Sequence, residues 1–393
     1  MITATLHPAM SPVVSAVDGI GDTVKARHIL RTANVPRRVA LAYEIAVDAV
    51  DALRAKGADA RLSSKAGHAP SLDHVKIMDA DAQGIHQALM TEGNATVSRR
   101  WPCPSCGDIG HRVGSAPLMR TGIPYGMVYF DLDRLLAPWR DHIEATDLEW
   151  DLVVALLMQR GHMQAPVAQC GCELLYVDWP FDQARIDRFY SGRQTADHIV
   201  DGVALSGRAT SPAYVYSKLA IPLHVEAVVG SLAGKSVYDL GCAEGVMAEG
   251  FRRLGATVAG GDLDRGKIAY ARTVFGIDIG DIRQSDLVVC FHVLEHLVRV
   301  EPWLSTMADA LSPGGHLVVS VPNSTIRDGI GVEMGGDHLI GFSASALKTH
   351  IERAGMHVVD MRVDDGSTTD RDNVLRAPSW SARPLDITVI ATR

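Results

Sequence analysis

Apolar residues recur at three- and four-residue steps near the start of the chain. Val39, Tyr43, Ala46, Val47, Val50 and Leu53 fall on one face of a helix, with Glu44, Asp48 and Asp51 on the other. Pro36 is placed to open that helix and Gly57 to close it. After a turn-like stretch over 58–70, Ser71 is a cap for a second helix running to about Leu89. Residues 1–100 therefore predict a helical N-terminal region suited to packing, to homodimerisation or to covering a substrate. Arg27, Arg31, Arg37 and Arg38 read as solvated charges rather than nucleic-acid contacts. From residue 196 the pattern changes to short apolar runs alternating with helical stretches, which predicts a parallel sheet with helices on both faces. The strands are Val237–Leu240, Ala256–Asp262, Ser285–Cys290, His316–Val321 and Asp386–Ala391. The first helix, from Val246 to Leu254, ends at Gly255, Asp264 caps the next, His292–Leu297 begins another, and Ser345–Ala354 forms a late one.

Residues 101–195 are set apart by cysteines. Cys103-Pro104-Ser105-Cys106-Gly107 and Cys170-Gly171-Cys172 are close pairs among 6 cysteines in 393 residues, too few for a disulfide scaffold and spaced for metal. Two thiolates on a tight turn hold one edge of a zinc tetrahedron, and the second pair completes it. The C-x-C spacing of that second pair keeps reduced free thiols as the plainer alternative, and His111 or His162 could replace a cysteine. Trp101, Trp139, Trp150 and Tyr176 supply bulk for a small core, and LEWDLVVALLMQ reads as a helix inserted between the pairs.

The composition, 47% hydrophobic and 21% charged, is that of a globular chain. No apolar run approaches the ~20 residues of a membrane span. The opening MITATLHPAMSPVV has neither the basic patch nor the apolar run of a secretory signal, so a cytoplasmic location is expected. A net charge of −8 disfavours a nucleic-acid partner bound by phosphate neutralisation.

The C-terminal region carries the clearest chemistry. Strand Val237–Leu240 runs into Gly241-Cys242-Ala243-Glu244-Gly245, then a helix, a second strand and Asp262. This is the adenosine half of a doubly wound sheet. The glycines let a ligand approach the backbone, and the acidic residue accepts ribose hydroxyls. The turn GCAEG is not G-x-G-x-x-G, which disfavours a dinucleotide.

DLGCAEG, Asp262, DLVVCFHVLEHL, LSPGGHLVVSVPN and DHLIGFSASALKTHIERAGMHVV occur in the order seen in class I S-adenosylmethionine-dependent methyltransferases. The chain resembles that family closely over 235–360 and in outline over 196–393. The resemblance implies that Asp239, Gly241, Ala243 and Gly245 line the methionine and ribose side of S-adenosylmethionine. Asp262 would take the ribose hydroxyls and Leu263 the adenine face. Asp281 is the candidate for the adenine edge, with Asp278 or a backbone group as alternatives, because FGIDIGDIRQ is shorter than the family's segment. CPSCG, the later cysteine pair and LLYVDWPFDQARIDRFYSG resemble the zinc-knuckle leader of bacterial methyltransferases acting on sugar nucleotides or natural-product intermediates. There the second knuckle is C-x-x-C-G, whereas here it is CGCELLYV. The fold class expected is α/β: a Rossmann-like methyltransferase sheet at 196–393, preceded by the helical region 1–100 and a zinc-knuckle domain at 101–195.

A methyl acceptor that is a hydroxyl or an enolisable carbon must lose a proton. Phe291-His292-Val293-Leu294-Glu295-His296 follows the fourth strand, and in open α/β sheets the ligand crevice lies beyond the carboxyl strand ends. His296 is the candidate general base, with Glu295 as its partner or a substrate ligand. A purely structural role for the pair, capping or packing a helix start, is the alternative. His292-x-x-Glu295-His296 also spells a zinc-protease motif, which its place after a strand argues against. Related methyltransferases with E-x-x-E-H and a later histidine hold a divalent ion against acceptor hydroxyls; here His292 replaces the first glutamate and His338 is the later histidine. An RNA base methyltransferase and a non-catalytic S-adenosylmethionine-binding scaffold are the competing functions. The first lacks a basic or aromatic stripe and the second is at odds with the intact motifs.

Overall fold

The computed structural model describes residues 37–58, 78–118, 126–142, 163–192, 198–200, 203–205, 209–324, 334–363 and 386–393, with a few single positions besides. The first apolar stripe forms α1 (Arg37–Arg54), and Val39, Tyr43, Ala46, Val47, Val50 and Leu53 are all buried. Helix α2 (Asp79–Val97) runs on past the predicted end at Leu89. No proline interrupts it, and its Gly93 is the place where Met163 packs so closely that a Cβ would collide. Pro36, Ser71, Arg27, Arg31, His162 and most of the LEWDLVVALLMQ stretch lie outside the described residues. From that stretch Trp150, Val153, Val154 and Leu157 are described, and they are helical and buried.

The chain continues through β1 (His111–Pro117), β2 (Gln164–Gln169), β3 (Leu175–Val177), α3 (Gln183–Gly192), β4 (His198–Val200), β5 (Val203–Leu205), α4 (Pro212–Lys218) and α5 (Ala220–Val229). There follow β6 (Ser236–Leu240), α6 (Val246–Arg253), β7 (Thr257–Gly261), α7 (Arg265–Phe275), β8 (Asp278–Ile279) and β9 (Ser285–Phe291). The remainder is α8 (Glu301–Asp309), β10 (Leu311–Pro322), β11 (Ile340–Gly341), α9 (Ala344–Arg353), β12 (His357–Val363) and β13 (Asp386–Thr392). Asp264 caps α7 as expected, its Oδ1 accepting from the backbone N–H groups of Gly266 and Lys267.

Seven strands form one sheet in the order β12-β13-β10-β9-β6-β7-β8. The pairs from β10 to β8 are parallel. Strand β13 lies antiparallel between β10 and β12, so the sheet is mixed where a wholly parallel one was expected. Antiparallel pairing of the consecutive neighbours β12 and β13 needs no crossover helix. The predicted helix start at His292–Leu297 is instead a single 3-10 turn over Leu294–His296, and α8 begins only at Glu301. His292 has φ +53°, which no continuing α-helix accommodates. The turn Ser312–Gly315 is a break in register near the start of β10, between Leu311 and His316.

A second sheet, β1-β2-β3-β11, is antiparallel throughout. Its last strand comes from the C-terminal half, with Ile340 opposite Tyr176 and Gly341 opposite Leu175. One hydrophobic core runs through both sheets, from Tyr176, Trp179 and Phe130 to Val319, Phe342 and Leu347. On the other side, α1 packs its apolar face on Val215, Leu219, Tyr270 and Phe275. That face is therefore used within the chain.

Arg38 corrects a further expectation. It is buried, not solvated: its Nε and Nη2 donate to the Tyr216 carbonyl at 2.9 and 2.6 Å, and its guanidinium stacks 3.8 Å over the Tyr216 ring. Burial lowers its pKa to about 10, against the opposing pull of Tyr216. Arg37 is exposed and pairs with Glu226 at 2.9 Å. Among the described residues no helix is long and apolar enough to cross a membrane.

Candidate active site and metal centre

Strand order turns back at β6, which pairs with β7 on one side and β9 on the other. Ligands of doubly wound sheets bind in the crevice at such a point. After β6 the chain takes three left-handed residues, Gly241 (φ +77°), Ala243 (φ +47°) and Gly245 (φ +79°). A Cβ at Gly241 would run into Val293. Asp262, at the end of β7, fixes this loop: Oδ2 accepts from the Ala243 N–H at 2.9 Å and Oδ1 from the Asp264 N–H at 2.8 Å. Two backbone donors leave one lone pair on each oxygen for ribose hydroxyls. Leu263 beside it is 49% exposed, an apolar surface at the place expected for an adenine.

Asp239 is the most telling residue of the crevice. It is fully buried on β6, and among the described residues neither carboxylate oxygen has a hydrogen-bond partner. Burial first, and the charge of Asp262 second, push its pKa up to about 7, while Lys218 on α4 pulls the other way. An unpartnered carboxylate in the interior costs several kcal/mol, roughly, unless a cation arrives. The residues thus fit a cationic ligand with an adenosine end. Asp281 lies exposed after β8, near Tyr238, whose hydroxyl donates to the Gly280 carbonyl at 2.7 Å and whose pKa burial first, then Cys242 and Asp281, push up. Its alternative, Asp278, is exposed and paired with Arg283.

Three of the four predicted catalytic residues come together at the end of β9. Glu295, His296 and His338 each place one ligand atom within 4.8 Å of the others. Glu295 is buried, neither oxygen has a hydrogen-bond partner among the described residues, and His296 Nε2 lies 3.8 Å from its Oε1. Burial raises the Glu295 carboxyl against the pull of His296 and His292. The rings of His296 and His338 meet edge to face at 4.7 Å between centroids. His292 stands apart from this group. Its ring stacks on Phe291 at 4.2 Å, and its Nε2 is 3.1 Å from Oδ1 of Asp386, the first residue of β13. Burial would lower the His292 pKa, but Asp386 outweighs it and the net direction is up.

Two residues that sequence reasoning did not assign complete the group. Tyr190 on α3 sits 2.9 Å from His296 Nδ1 and donates to Asp337 Oδ2 at 2.9 Å. The Asp337 carbonyl is also 2.9 Å from His296 Nδ1. Lys218, the third omission, places Nζ 4.1 Å over the Phe291 ring. Asp337 could have been found as the residue before His338 and Tyr190 near the end of the LLYVDWPFDQARIDRFYSG segment, whereas nothing in the sequence singled out Lys218.

The four paired cysteines also converge, with sulfurs within 4.8 Å of one another. Cys103 and Cys172 are 3.7 Å apart, Cys106 and Cys170 3.1 Å, and all are free thiols. A tetrahedral zinc with sulfurs at about 2.3 Å would set them roughly 3.8 Å apart. Each knuckle ends on a left-handed residue whose N–H bonds back to its first cysteine: Gly107 to Cys103 at 3.0 Å, and Glu173 to Cys170 at 2.9 Å. The second turn thus closes one residue shorter than the first, and its two sulfurs still meet those of Cys103 and Cys106. Burial pushes the Cys103 thiol up, a cost that a bound cation removes. Cys242 and Cys290 are buried small side chains, as expected.

This crevice, turn and strand order define a class I S-adenosylmethionine-dependent methyltransferase domain. Residues 220–361 match the protein family described as "Methyltransferase domain". The chain is similar to the ubiquinone biosynthesis O-methyltransferase of Shewanella pealeana, 28% identical over 132 residues, covering 30% of this chain and 56% of that protein. It is likewise similar to that of Cupriavidus pinatubonensis, 26% identical over 161 residues, 34% of this chain and 65% of that protein. The chain thus spans little more than half the length of the first of these relatives. An S-adenosylmethionine-dependent methyltransferase structure from Mesorhizobium loti aligns at 21% identity over 44% of this chain and 98% of that one, with a TM-score of 0.35.

Asp239 and Glu173 each give an expected outcome. Because the folded pKa of Asp239 is raised above the unfolded value of 3.8, the folded protein holds a proton that the unfolded chain has released. Stability is then lost as pH rises from about 4 to about 7. In thermal melts of ligand-free protein, Asp239→Asn should melt higher than the parent at pH 8 and alongside it at pH 4; coincident melts at both pH values would refute the assignment. Glu173→Gly removes a left-handed side chain that costs about 1 kcal/mol, so it should raise the melting temperature without changing metal content. A lower melting temperature would show that the Glu173 side chain matters more than its backbone.

Proposed function

We propose that this chain transfers the methyl group of S-adenosylmethionine to a small-molecule acceptor that must lose a proton in the reaction. The observation that carries this reading is the pairing, across adjacent strand ends, of an unpartnered buried Asp239 with the Glu295–His296–His338 group. Bound S-adenosylmethionine supplies an electrophilic methyl on a sulfonium. Asp239 meets the positive charge of that end, the 241–245 turn admits it against the backbone, and Asp262 holds the ribose. Holding donor and acceptor in line supplies much of the rate. His296 Nε2 takes the acceptor's proton and the Glu295 carboxylate stabilises the resulting imidazolium. The four cysteines hold a structural zinc. A sugar nucleotide or natural-product intermediate is the favoured acceptor class, from the knuckle leader; the curated relatives are O-methyltransferases of ubiquinone biosynthesis.

A second reading rests on the same three side chains. Two imidazoles and a carboxylate suit a divalent cation, which would bind neighbouring hydroxyls of the acceptor. Loss of turnover on chelation, restored by a divalent ion other than zinc, would favour it over the base alone.

Calorimetric titration with S-adenosylmethionine and S-adenosylhomocysteine, with zinc measured on the same sample, tests the proposal. Binding of both is expected, lost in Asp262→Ala with the fold intact. Affinity for S-adenosylmethionine should rise roughly tenfold from pH 6 to pH 8 as Asp239 ionises, and Asp239→Asn should flatten that rise. About one zinc per chain is expected, lost in Cys103→Ser. His296→Ala should keep cofactor affinity and lose ~100-fold or more in turnover. Protein that binds neither ligand, with or without candidate acceptors, overturns the reading.

A further inference from the structure

His296 is useful as a base, or as a metal ligand, only if the nitrogen facing Glu295 carries a lone pair. An imidazole has two neutral tautomers, and the hydrogen bonds of one nitrogen decide the state of the other. The arrangement around Nδ1 makes that decision. Two oxygens lie 2.9 Å from Nδ1, the Asp337 carbonyl and the Tyr190 hydroxyl. The carbonyl can only accept. The tyrosine has one proton, and it is given to Asp337 Oδ2 at 2.9 Å. Asp337 is 9% exposed, so its carboxylate holds that proton with little competition from water. Both oxygens therefore present lone pairs to Nδ1, and Nδ1 must donate.

We propose that Tyr190 and Asp337 are positioning residues that hold His296 in its Nδ1–H tautomer and leave the Nε2 lone pair aimed beside Glu295. Tyr190 comes from α3, outside the matched methyltransferase segment at 220–361, so the knuckle region contributes a working part of the site. The inference builds on the reading of His296 as proton acceptor and applies equally if Nε2 binds a cation. When Nε2 takes a proton from the acceptor, that proton turns toward the Glu295 carboxylate while Nδ1–H stays on the Asp337 carbonyl. No proton has to leave the site during the step.

The proton on Tyr190 gives the test its direction. If Asp337 loses its carboxylate, the Tyr190 proton loses the acceptor at 2.9 Å and turns to Nδ1, also at 2.9 Å, and the tautomer inverts. Removing the hydroxyl as well leaves, among the described residues, the Asp337 carbonyl at Nδ1, and the original tautomer returns. Full-length protein labelled with 15N-histidine, examined by long-range 1H–15N correlation at a pH where His296 is neutral, reads this directly, with His296→Gln assigning the signals. The expected pattern is Nδ1–H in the parent, a predominantly Nε2–H form in Asp337→Ala, and Nδ1–H again in the Asp337→Ala, Tyr190→Phe double variant. Nε2–H in the parent overturns the proposal, and so does an Asp337→Ala spectrum unchanged from the parent. Melting curves of each variant exclude unfolding as the cause, and Glu295→Gln with Asp337 intact should keep the parent tautomer should the first variant not fold. The measurement needs neither acceptor nor cofactor, so a failed methyltransferase reading and a failed tautomer assignment give separate results. Once an acceptor is in hand, Asp337→Ala should lower kcat by roughly 100-fold with KM little changed, and the double variant should recover part of that loss.

Discussion

The backbone of residues 337–341 is hydrogen-bonded on both sides at once. Leu339 donates to the Glu295 carbonyl at 2.7 Å and accepts from the Val177 N–H at 2.9 Å, while the Asp337 carbonyl, two residues earlier, accepts from His296 Nδ1. Ile340 and Gly341 then complete the edge of the small sheet. Backbone groups in a buried place cannot go without partners, so this short run fixes the distance between the two sheets and with it the shape of the site. His338, Glu295 and Tyr190 come from three separate parts of the chain, and this run is what brings them together.

Two carboxylates illustrate what the site gives up in stability for chemistry. Asp239 and Glu295 are both buried and both have two oxygens without a hydrogen-bond partner. A protein selected for stability alone would carry amides or aliphatic groups there. Each is placed where positive charge is due: Asp239 at the cofactor crevice, Glu295 beside the imidazole. Asp262 and Asp337 beside them are by contrast satisfied, accepting from the Ala243 and Asp264 N–H groups and from the Tyr190 hydroxyl.

Much of the sheet was legible in the sequence because its strands are continuous apolar runs bounded by glycine and acidic caps. Val237–Leu240, Asp262 and Asp264 could be placed from local order alone. The antiparallel β13 was not, since an apolar run does not state its direction. His292 was grouped with Glu295 and His296 by spacing, but spacing assumed a helix, and the left-handed residue at 292 turns it toward Asp386 instead. Tyr190 and Asp337 were not assigned because their role depends on a meeting of segments more than a hundred residues apart. Arg38 was misjudged because charge is read as solvated by default, while here the Tyr216 carbonyl and ring receive it. The cysteine pairs were legible as a cluster, although only the backbone at Glu173 explains the missing residue in the second.

The crossing of β11 into the small sheet bears on modularity. The cysteine region has no complete sheet of its own, because its fourth strand is borrowed from the chain that follows β10. Lineages that recombine such regions could not join this leader to any cofactor-binding fold at will. A compatible partner would have to carry a strand equivalent to 340–341 at the right height above its fourth strand. The two halves of the molecule are in this sense one inheritable unit.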